Sequence, residues 1–599
     1  MNSIFTTWRQ TAASICVALG MFALPLAPAA AAEPDATTSR ALQAMFDRAW
    51  EESAQRFPER ATYRGDNRYN DRLSDASPEA LADNDRRSAQ SLADARAMSR
   101  EALTPTERVS LDMFIDNQQR ALALQPYPGY RLMSLRALGG PHTQLADLLQ
   151  IMPVTRAEQV EQMLARLAAY PRRMEQEIAN LRRAAAAGYV PSRELLERVL
   201  AQIEGQLNAD ATATPWYAPF KRLGSGIPAA EREALQQRGK TAVETQVMPP
   251  MRALRALVAT ELMPRAAADG SLKNAPDGTK IYDILVRQQT TTDLSATEIH
   301  AIGLRELARL RLEMEAVMRE TKFEGDFPAF VKFLNTDPRF FHTSAEELLT
   351  GYRDIAKRLD AEMPKLFAEL PRAPYGVQAM PAHMGNRAEY YSGPALDGSR
   401  AGIFFANTTA LNGRPRWAME TLVAHEAVPG HHLQIARAIE LRGVPAFRRS
   451  GWGYTAFTEG WALYAETLGF DLGLYTDPYQ RYGHLQWQAF RAARLIVDTG
   501  IHALGWTRQQ SIDYMVERTG VNREFVTSEI DRYTSNPGQA LAYMIGRLKI
   551  AELRDRARTR LGARFDIRQF HNAVLDQGAL PLATLERVID EWIAVQLKA

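Results

Sequence analysis

Apolar residues recur three and four positions apart along most of this chain, which is the spacing of one face of an α-helix. Two predicted helices begin with a serine followed three residues later by a glutamate, at Ser295 with Glu298 and at Ser344 with Glu347. This pairing is typical of a capping box, in which each side chain bonds the backbone N–H of the other residue. The pattern therefore predicts a mostly helical protein.

One stretch interrupts the helical pattern. Between residues 374 and 414, Gly, Pro and Asn separate short apolar runs, and residues 400–408 are typical of a strand in a small sheet. Within the helical part, a break or kink is expected near Pro171, because proline cannot join the helical hydrogen-bond ladder. Further helices are expected over residues 156–187, 192–207, 537–561 and 582–597.

The length of the chain also predicts its organisation. Single hydrophobic cores rarely grow beyond about 250–300 residues, and this chain has 599. A loop-rich stretch near residues 264–280 is a natural boundary. We expect an N-terminal helical lobe over 33–270 and a C-terminal helical catalytic lobe over 271–599. The two lobes would surround a deep cleft, with the small β element near the active site.

The first 32 residues have a different pattern. A polar lead with one charge, Arg9, precedes an apolar stretch from about Ala12 to Leu26 and an alanine-rich run that ends near Ala32. This order is typical of a cleaved secretory signal peptide. The apolar stretch is shorter than the roughly 20 residues that cross a membrane, and no later stretch is long enough. We therefore expect a signal peptide over 1–32 and no membrane span.

Cys16 is the only cysteine, and it lies inside this leader. Lipid modification of Cys16 is the alternative to cleavage, but almost the whole apolar stretch would then follow the modified residue, which is the wrong order. Removal of the leader leaves no cysteine, which excludes disulfides and cysteine nucleophiles. A large exported chain without cysteine fits a bacterial periplasm, so we predict a periplasmic or secreted protein.

Charge and motifs exclude several classes of function. Lys and Arg total 72 against 70 for Asp and Glu, so no excess charge favours nucleic acid or an anionic membrane as a partner. The chain has no Gly-x-Ser-x-Gly elbow of a serine hydrolase and no Gly-x-x-x-x-Gly-Lys phosphate loop.

The most informative run is His425-Glu426-Ala-Val-Pro-Gly-His431-His432, which holds three of the ten histidines. Zinc prefers imidazole and carboxylate ligands, and a catalytic zinc site takes three protein ligands and a water. A glutamate directly after the first ligand is placed to take a proton from that water. We therefore predict a Zn²⁺ site with His425 as a ligand and Glu426 as the catalytic base.

The spacing of the histidines requires a broken helix. The usual His-Glu-x-x-His motif puts both ligands on one helical face. On a straight helix, residue i+6 lies about 9 Å along the axis and about 120° off that face. That is too far for two zinc–nitrogen bonds of about 2.0–2.1 Å. Pro429 and Gly430 predict a break over 428–430 that returns the second histidine to the metal.

Either of two adjacent histidines could be the second ligand. Many helical zinc peptidases have glycine directly before this ligand, which favours His431 over His432. His432 is then expected to contact substrate. The third ligand is expected from a following helix. Glu459 lies 28 residues after His431, enough chain for a helix, a turn and a return, so Glu459 is the predicted ligand and Glu466 the alternative.

These motifs occur in order with Asp397-Gly-Ser-Arg400, Asp498-Thr-Gly-Ile-His502 and Pro537-Gly-Gln-Ala540. Together they resemble the bacterial family called domain of unknown function 885 over nearly the whole mature chain. That family is grouped with the gluzincin-type zinc peptidases of the His-Glu-x-x-His clan. It is similar in outline to angiotensin-converting-enzyme-like and thermostable-carboxypeptidase-like helical peptidases. The resemblance implies a zinc metallopeptidase fold that acts on peptides.

Supporting residues are expected around the metal. Similar helical peptidases use His and Tyr C-terminal to the metal motifs to stabilise the oxyanion, which points to His502 and Tyr533 as catalytic residues. Asp498, four residues before His502, could orient its imidazole. Arg400 is expected to bind a substrate carboxylate, with a structural salt bridge as its alternative role.

The preferred function is an exported zinc metallopeptidase that cleaves peptides with a water activated by Glu426. One alternative is a zinc hydrolase that acts on a non-peptide amide. The other is a non-catalytic periplasmic binding protein built on a peptidase scaffold. Glu426 favours an enzyme, because a binding protein needs metal ligands but no general base.

Overall fold

A computed structural model describes residues 35–137, 139–381, 388–450 and 453–598 of the protein. The predicted signal peptide, residues 1–32, lies outside the described residues. The described residues form 23 α-helices, several short 3₁₀ and π turns and three β-strands. The prediction of a mostly helical protein is therefore confirmed.

Helices lie before and after a single group of strands along the chain. Before the sheet lie α1 Ala36–Arg56, α2 Pro58–Tyr63, α3 Pro78–Arg96, α4 Pro105–Leu122, α5 Pro128–Leu132, α6 Gln144–Ile151, α7 Ala157–Ala186, α8 Arg193–Gln206, α9 Ala229–Ala242, α10 Met248–Leu257, α11 Gly278–Thr290, α12 Ala296–Glu320, α13 Phe327–Thr336 and α14 Ala345–Glu362. The strands are β1 Tyr375–Ala379, β2 Tyr390–Ser392 and β3 Gly402–Ala406. After the sheet lie α15 Met419–Glu426, α16 His431–Glu440, α17 Thr455–Leu468, α18 Pro478–Thr499, α19 Arg508–Thr519, α20 Arg523–Ser535, α21 Ala542–Leu561, α22 Ile567–Leu575 and α23 Leu582–Lys598.

Local sequence signals predict some helix boundaries and miss others. The capping box at Ser295 is complete. The one at Ser344 is half formed, because the Glu347 carboxylate accepts from the N–H and hydroxyl of Thr343 instead. The predicted interruption near Pro171 is wrong, since α7 continues through it. Buried residues of α7 on both sides of this proline join the same hydrophobic core, which holds the helix together.

The three strands form one small sheet beside α16. β3 lies in the centre, parallel to β1 and antiparallel to β2. The observed strand is shorter than the predicted 400–408, and Gly402, Phe404 and Ala406 alternate as its buried face. Tyr391 of β2 bonds a side chain of α16, so the β element lies next to the metal motif.

The helices that carry the predicted ligands pack closely against their neighbours. α17, which carries Glu459, packs along α21, and α15 packs against α17. A Cβ on Gly546 of α21 would lie 1.8 Å from the Ala456 carbonyl oxygen, so α17 and α21 approach at a distance that only glycine permits.

One cluster of buried hydrophobic residues extends from Val109 to Ile593 and includes residues before and after position 270. The division into two lobes at residue 270 stays a prediction. Across the described parts of the chain, no helix is both long and apolar enough to cross a membrane.

Candidate metal centre

The helix that carries the first predicted ligand is broken where the sequence predicts it. α15 ends at Glu426, and α16 begins at His431. The four residues between them form a turn, in which the Val428–Pro429 peptide bond is cis. The indole Nε1 of Trp461 donates to the carbonyl oxygen of Pro429 at 2.9 Å, which anchors the turn to α17.

Gly430 allows the turn to close. A Cβ at this position would lie 1.9 Å from the carbonyl oxygen of His425 and 2.5 Å from that of Ala424. Both contacts are to backbone atoms, so no side-chain rotation could relieve them. The break therefore depends on glycine at the position directly before the second histidine.

Three predicted ligands converge across this break. The Nε2 atom of His425 lies 3.5 Å from Oε2 of Glu459, and Nε2 of His431 lies 3.4 Å from the same oxygen. Ligand atoms of all three residues lie within 4.8 Å of one another. Bonds of about 2.0–2.1 Å in a tetrahedral zinc site place neighbouring ligand atoms about 3.3–3.4 Å apart. The spacing of this cluster fits that geometry.

The chemistry of the three side chains also fits a metal. The Glu459 side chain is 14% exposed, and among the described residues its Oε2 has only the two long imidazole contacts and no well-formed hydrogen bond. A buried carboxylate oxygen without such a bond is costly unless a cation balances it. Two imidazole nitrogens and one carboxylate oxygen are the ligands of many catalytic zinc sites. The cluster could therefore hold Zn²⁺.

Glu466, the alternative third ligand, lies on the other side of the first imidazole. Its Oε1 bonds Nδ1 of His425 at 2.8 Å, and its Oε2 accepts from the amide of Gln488 at 3.0 Å. A proton on Nδ1 leaves the Nε2 lone pair directed toward Glu459. The geometry thus favours Glu459 as the ligand and Glu466 as the carboxylate that orients His425.

The charges of the cluster are strongly coupled. Burial would lower the pKa of His425, but the carboxylates of Glu459 and Glu466 outweigh it and raise that pKa. Burial would raise the pKa of Glu459, but His431 and His425 hold it well below its usual range. Burial raises the pKa of Glu426 to about 8. A cation at the cluster would favour the carboxylate form of Glu426.

A cavity of about 230 Å³ gives access to the cluster. His425, His431 and Glu459 line it together with Glu426, which places the predicted base beside the predicted ligands. Four arginines and three tyrosines also line this cavity, namely Arg198, Arg491, Arg494, Arg532, Tyr390, Tyr391 and Tyr543.

The comparisons with known proteins agree with the sequence motifs. Residues 58–589 match the family described as "Bacterial protein of unknown function (DUF885)". The chain belongs to the DUF885 family. The predicted resemblance to this family is thereby confirmed. No curated protein gave a significant match.

Two solved structures are similar to this DUF885 protein. A candidate lipoprotein of Colwellia psychrerythraea has 28% sequence identity and a TM-score of 0.88, covering 93% of this chain and 99% of the other. A candidate lipoprotein of unknown function from Shewanella oneidensis has 18% identity and a TM-score of 0.71, covering 93% and 100%. The second likeness shows a shared fold alone.

Tyr543 is a residue of this DUF885 protein that the sequence analysis missed. It lies in the first turn of α21 and lines the cavity, where burial and the charge of Glu459 raise its pKa. The available signal was its position just after the Asn536-Pro-Gly break, since such a break often faces a cleft.

His502, predicted as a catalytic residue, lies outside the cavity lining. Its Nδ1 accepts from the N–H of Leu272 at 3.2 Å, and its Nε2 donates to the carbonyl oxygen of Tyr533 at 3.0 Å. Both ring nitrogens are therefore used by the backbone. Asp498 does not orient this ring as predicted, because it accepts from the hydroxyl of Tyr282 at 2.6 Å.

Tyr533, the other predicted catalytic residue, is buried behind the cavity wall. Its hydroxyl accepts from Nε of Arg494 at 2.7 Å and donates to Oε2 of Glu529 at 2.9 Å. Arg532 pairs with the same carboxylate at 2.9 Å. These bonds favour a positioning role for Tyr533 over contact with a substrate.

The two predicted substrate contacts also lie elsewhere. Nδ1 of His432 accepts from the hydroxyl of Tyr391 at 2.8 Å, and the ring packs on Tyr375, with 4.5 Å between centroids. Burial lowers the pKa of His432 to about 4, so this ring is neutral. Arg400 lines a neighbouring cavity of about 530 Å³ and contacts the carbonyl oxygen of Gly393 at 3.5 Å. Neither side chain lines the cavity of the cluster.

Proposed function

We propose that this protein is an exported zinc-dependent peptidase whose metal is held by His425, His431 and Glu459. The observation that carries the proposal is the convergence of these three ligand atoms at a cavity that Glu426 also lines. A zinc ion bound there would lower the pKa of a water molecule and polarise the carbonyl of the scissile bond.

The side chains around the cluster supply the rest of the chemistry. The Glu426 carboxylate would take the proton of the attacking water and pass it to the leaving amine nitrogen. The Tyr543 hydroxyl, which lines the same cavity, would donate to the oxyanion that develops on the carbonyl oxygen. Glu466 would hold the His425 ring in the tautomer that leaves Nε2 free to bind metal.

Two alternatives differ from this proposal in substrate or in chemistry. A hydrolase of a non-peptide amide would use the same ligands and the same base, so the choice of a peptide substrate rests only on the resemblance of the sequence motifs to those of helical peptidases. A metal-dependent binding protein requires metal ligands but does not require a buried glutamate beside them. The presence of Glu426 in the cavity favours catalysis over binding alone.

Peptide cleavage with and without metal tests this function. The mature protein, zinc-loaded or stripped of metal, is incubated with a peptide library and the products are identified by mass spectrometry. We expect cleavage only by the zinc-loaded form. Glu426→Gln should bind zinc as the wild type does and lose turnover, because an amide cannot accept the proton. Turnover close to wild type in Glu426→Gln would contradict the proposed base.

Export is the second part of the proposal. The N-terminal apolar stretch supports it, as does the similar structure from Colwellia psychrerythraea, which is that of a candidate lipoprotein. We propose cleavage after Ala32 rather than lipid modification of Cys16. Intact mass of protein from the periplasm should correspond to a chain that begins at Glu33. A chain that begins at Cys16 and carries acyl groups would contradict this proposal.

A further inference from the structure

Two arginines on one face of α18 reach the cavity with donors that are not used. Arg491 is 6% exposed, and its Nε and Nη1 have no hydrogen-bond partner in the part of the chain that the structure describes. Arg494, one turn later, bonds Tyr533 and Glu529, while its Nη1 likewise has no partner among the described residues. Both side chains line the cavity of the metal cluster.

The other two arginines of the cavity are already paired. Arg532 pairs with Glu529, and Arg198 donates to the hydroxyl of Ser528 at 3.2 Å. The unused donors are thus concentrated at Arg491 and Arg494. Buried N–H groups without acceptors are rare in native proteins, which points to a ligand that supplies the acceptors.

The geometry of these donors suits a carboxylate. A guanidinium presents its N–H groups in a planar fork that matches the two oxygens of a carboxylate. The Arg491 guanidinium lies 4.4 Å from the Trp487 ring centroid, a contact that fixes its plane.

Arg491 is also close to the metal cluster. Its Nη2 lies 3.8 Å from the Glu466 oxygen that bonds His425 at 2.8 Å. Nη2 of Arg491 and Nδ1 of His425 are therefore at most 6.6 Å apart. That span is about two residues of extended chain.

We infer that Arg491 and Arg494 bind the C-terminal carboxylate of the substrate, so that the protein acts as a carboxypeptidase. The inference rests on the proposed peptidase function. The chain of an endopeptidase substrate continues past the scissile bond with neutral peptide groups, which would leave the unused N–H donors of Arg491 and Arg494 without an anionic acceptor. A free C-terminus within two residues of the cluster satisfies them.

Peptide binding to a catalytically inactive variant tests this inference separately from the proposed function, because it requires no cleavage. Zinc-loaded Glu426→Gln is titrated by calorimetry with N-acetyl-trialanine as the free acid and as the C-terminal amide. We expect the acid to bind about 10- to 100-fold more tightly, as the loss of a charged hydrogen-bonding partner implies. Adding Arg491→Gln should abolish this preference. Arg491→Lys keeps the positive charge but lacks the planar guanidinium, so this variant should retain only part of the preference for the acid.

Arg481→Gln is the matched control. Arg481 lies at the start of the same helix, pairs with Glu320 and does not line the cavity, so the preference for the acid should be unchanged. Equal binding of acid and amide would overturn the inference. A C-terminal amide with a penultimate glutamate is a further test. If it bound as tightly as the free acid, the two arginines would recognise a side-chain carboxylate, and the inference would again be overturned.

The cleavage and binding experiments distinguish failure of the carboxylate site from failure of the peptidase function. Cleavage of library peptides without preference for a free C-terminus would leave the peptidase proposal standing and overturn the inference. Acid-selective binding that depends on Arg491, without cleavage by the wild type, would support the carboxylate site and contradict the hydrolase.

Discussion

Replacement of Gly430 by alanine tests whether the break between α15 and α16 builds the metal site. The added Cβ would lie 1.9 Å from the carbonyl oxygen of His425, whereas ordinary contacts begin at 3.4 Å. The backbone must therefore move by about 1.5 Å at the residue that carries the first ligand. Overpacking of this kind costs about 1–3 kcal/mol. A shift of about 1.5 Å is also large against zinc bonds of about 2 Å.

We expect Gly430→Ala to lower the free energy of unfolding by about 1–3 kcal/mol and to weaken zinc binding sharply. Urea unfolding measures the first effect, and competition with a chromogenic chelator measures the second. Gly413→Ala is the control, because a Cβ there meets no atom within 4 Å. If Gly430→Ala matched Gly413→Ala in both stability and zinc affinity, the break would not position the ligand.

Single substitutions at other positions test the roles of individual side chains. His431→Ala should lose zinc in metal analysis while His432→Ala retains it, because only the first faces Glu459. Glu466→Gln should lower zinc affinity about 10- to 100-fold in chelator competition, since it orients a ligand; wild-type affinity would refute that role. Tyr543→Phe should lower kcat about 10²–10³-fold at unchanged zinc content. Burial lowers the pKa of His571 to about 4, so the unfolded chain takes up a proton at this residue more readily than the folded protein does. The folded state is therefore stabilised above pH 6.5, and this stabilisation is lost as the pH falls toward 4. In urea unfolding at pH 7 and pH 5, wild type should therefore lose about 2 kcal/mol more than His571→Gln.

The metal motif could be predicted from the sequence because its constraints are local. The distance between His425 and His431 on a straight helix is incompatible with one metal ion, so Pro429 and Gly430 had to mark a break. The third ligand was a choice between carboxylates on one helix. The structure brings Glu459 to the two histidines and leaves Glu466 behind the first of them.

The residues around the metal could not be predicted in the same way. Nearly every residue of α18 from Tyr482 to Thr499 is buried, so periodicity does not reveal which face lines the cavity. Arg491 and Arg494 were missed for this reason. His502 and Tyr533 were chosen by their order along the chain, but tertiary packing turns both away from the cavity.

The position of the bound zinc ion tests the proposed metal site most directly. Crystals of the zinc-loaded protein are measured on both sides of the zinc absorption edge, and an anomalous difference map is calculated. We expect one strong peak per chain, about 2.0–2.2 Å from Nε2 of His425, Nε2 of His431 and an oxygen of Glu459. The absence of a peak at these three side chains in zinc-loaded crystals, or a peak at other residues, would contradict the proposed site.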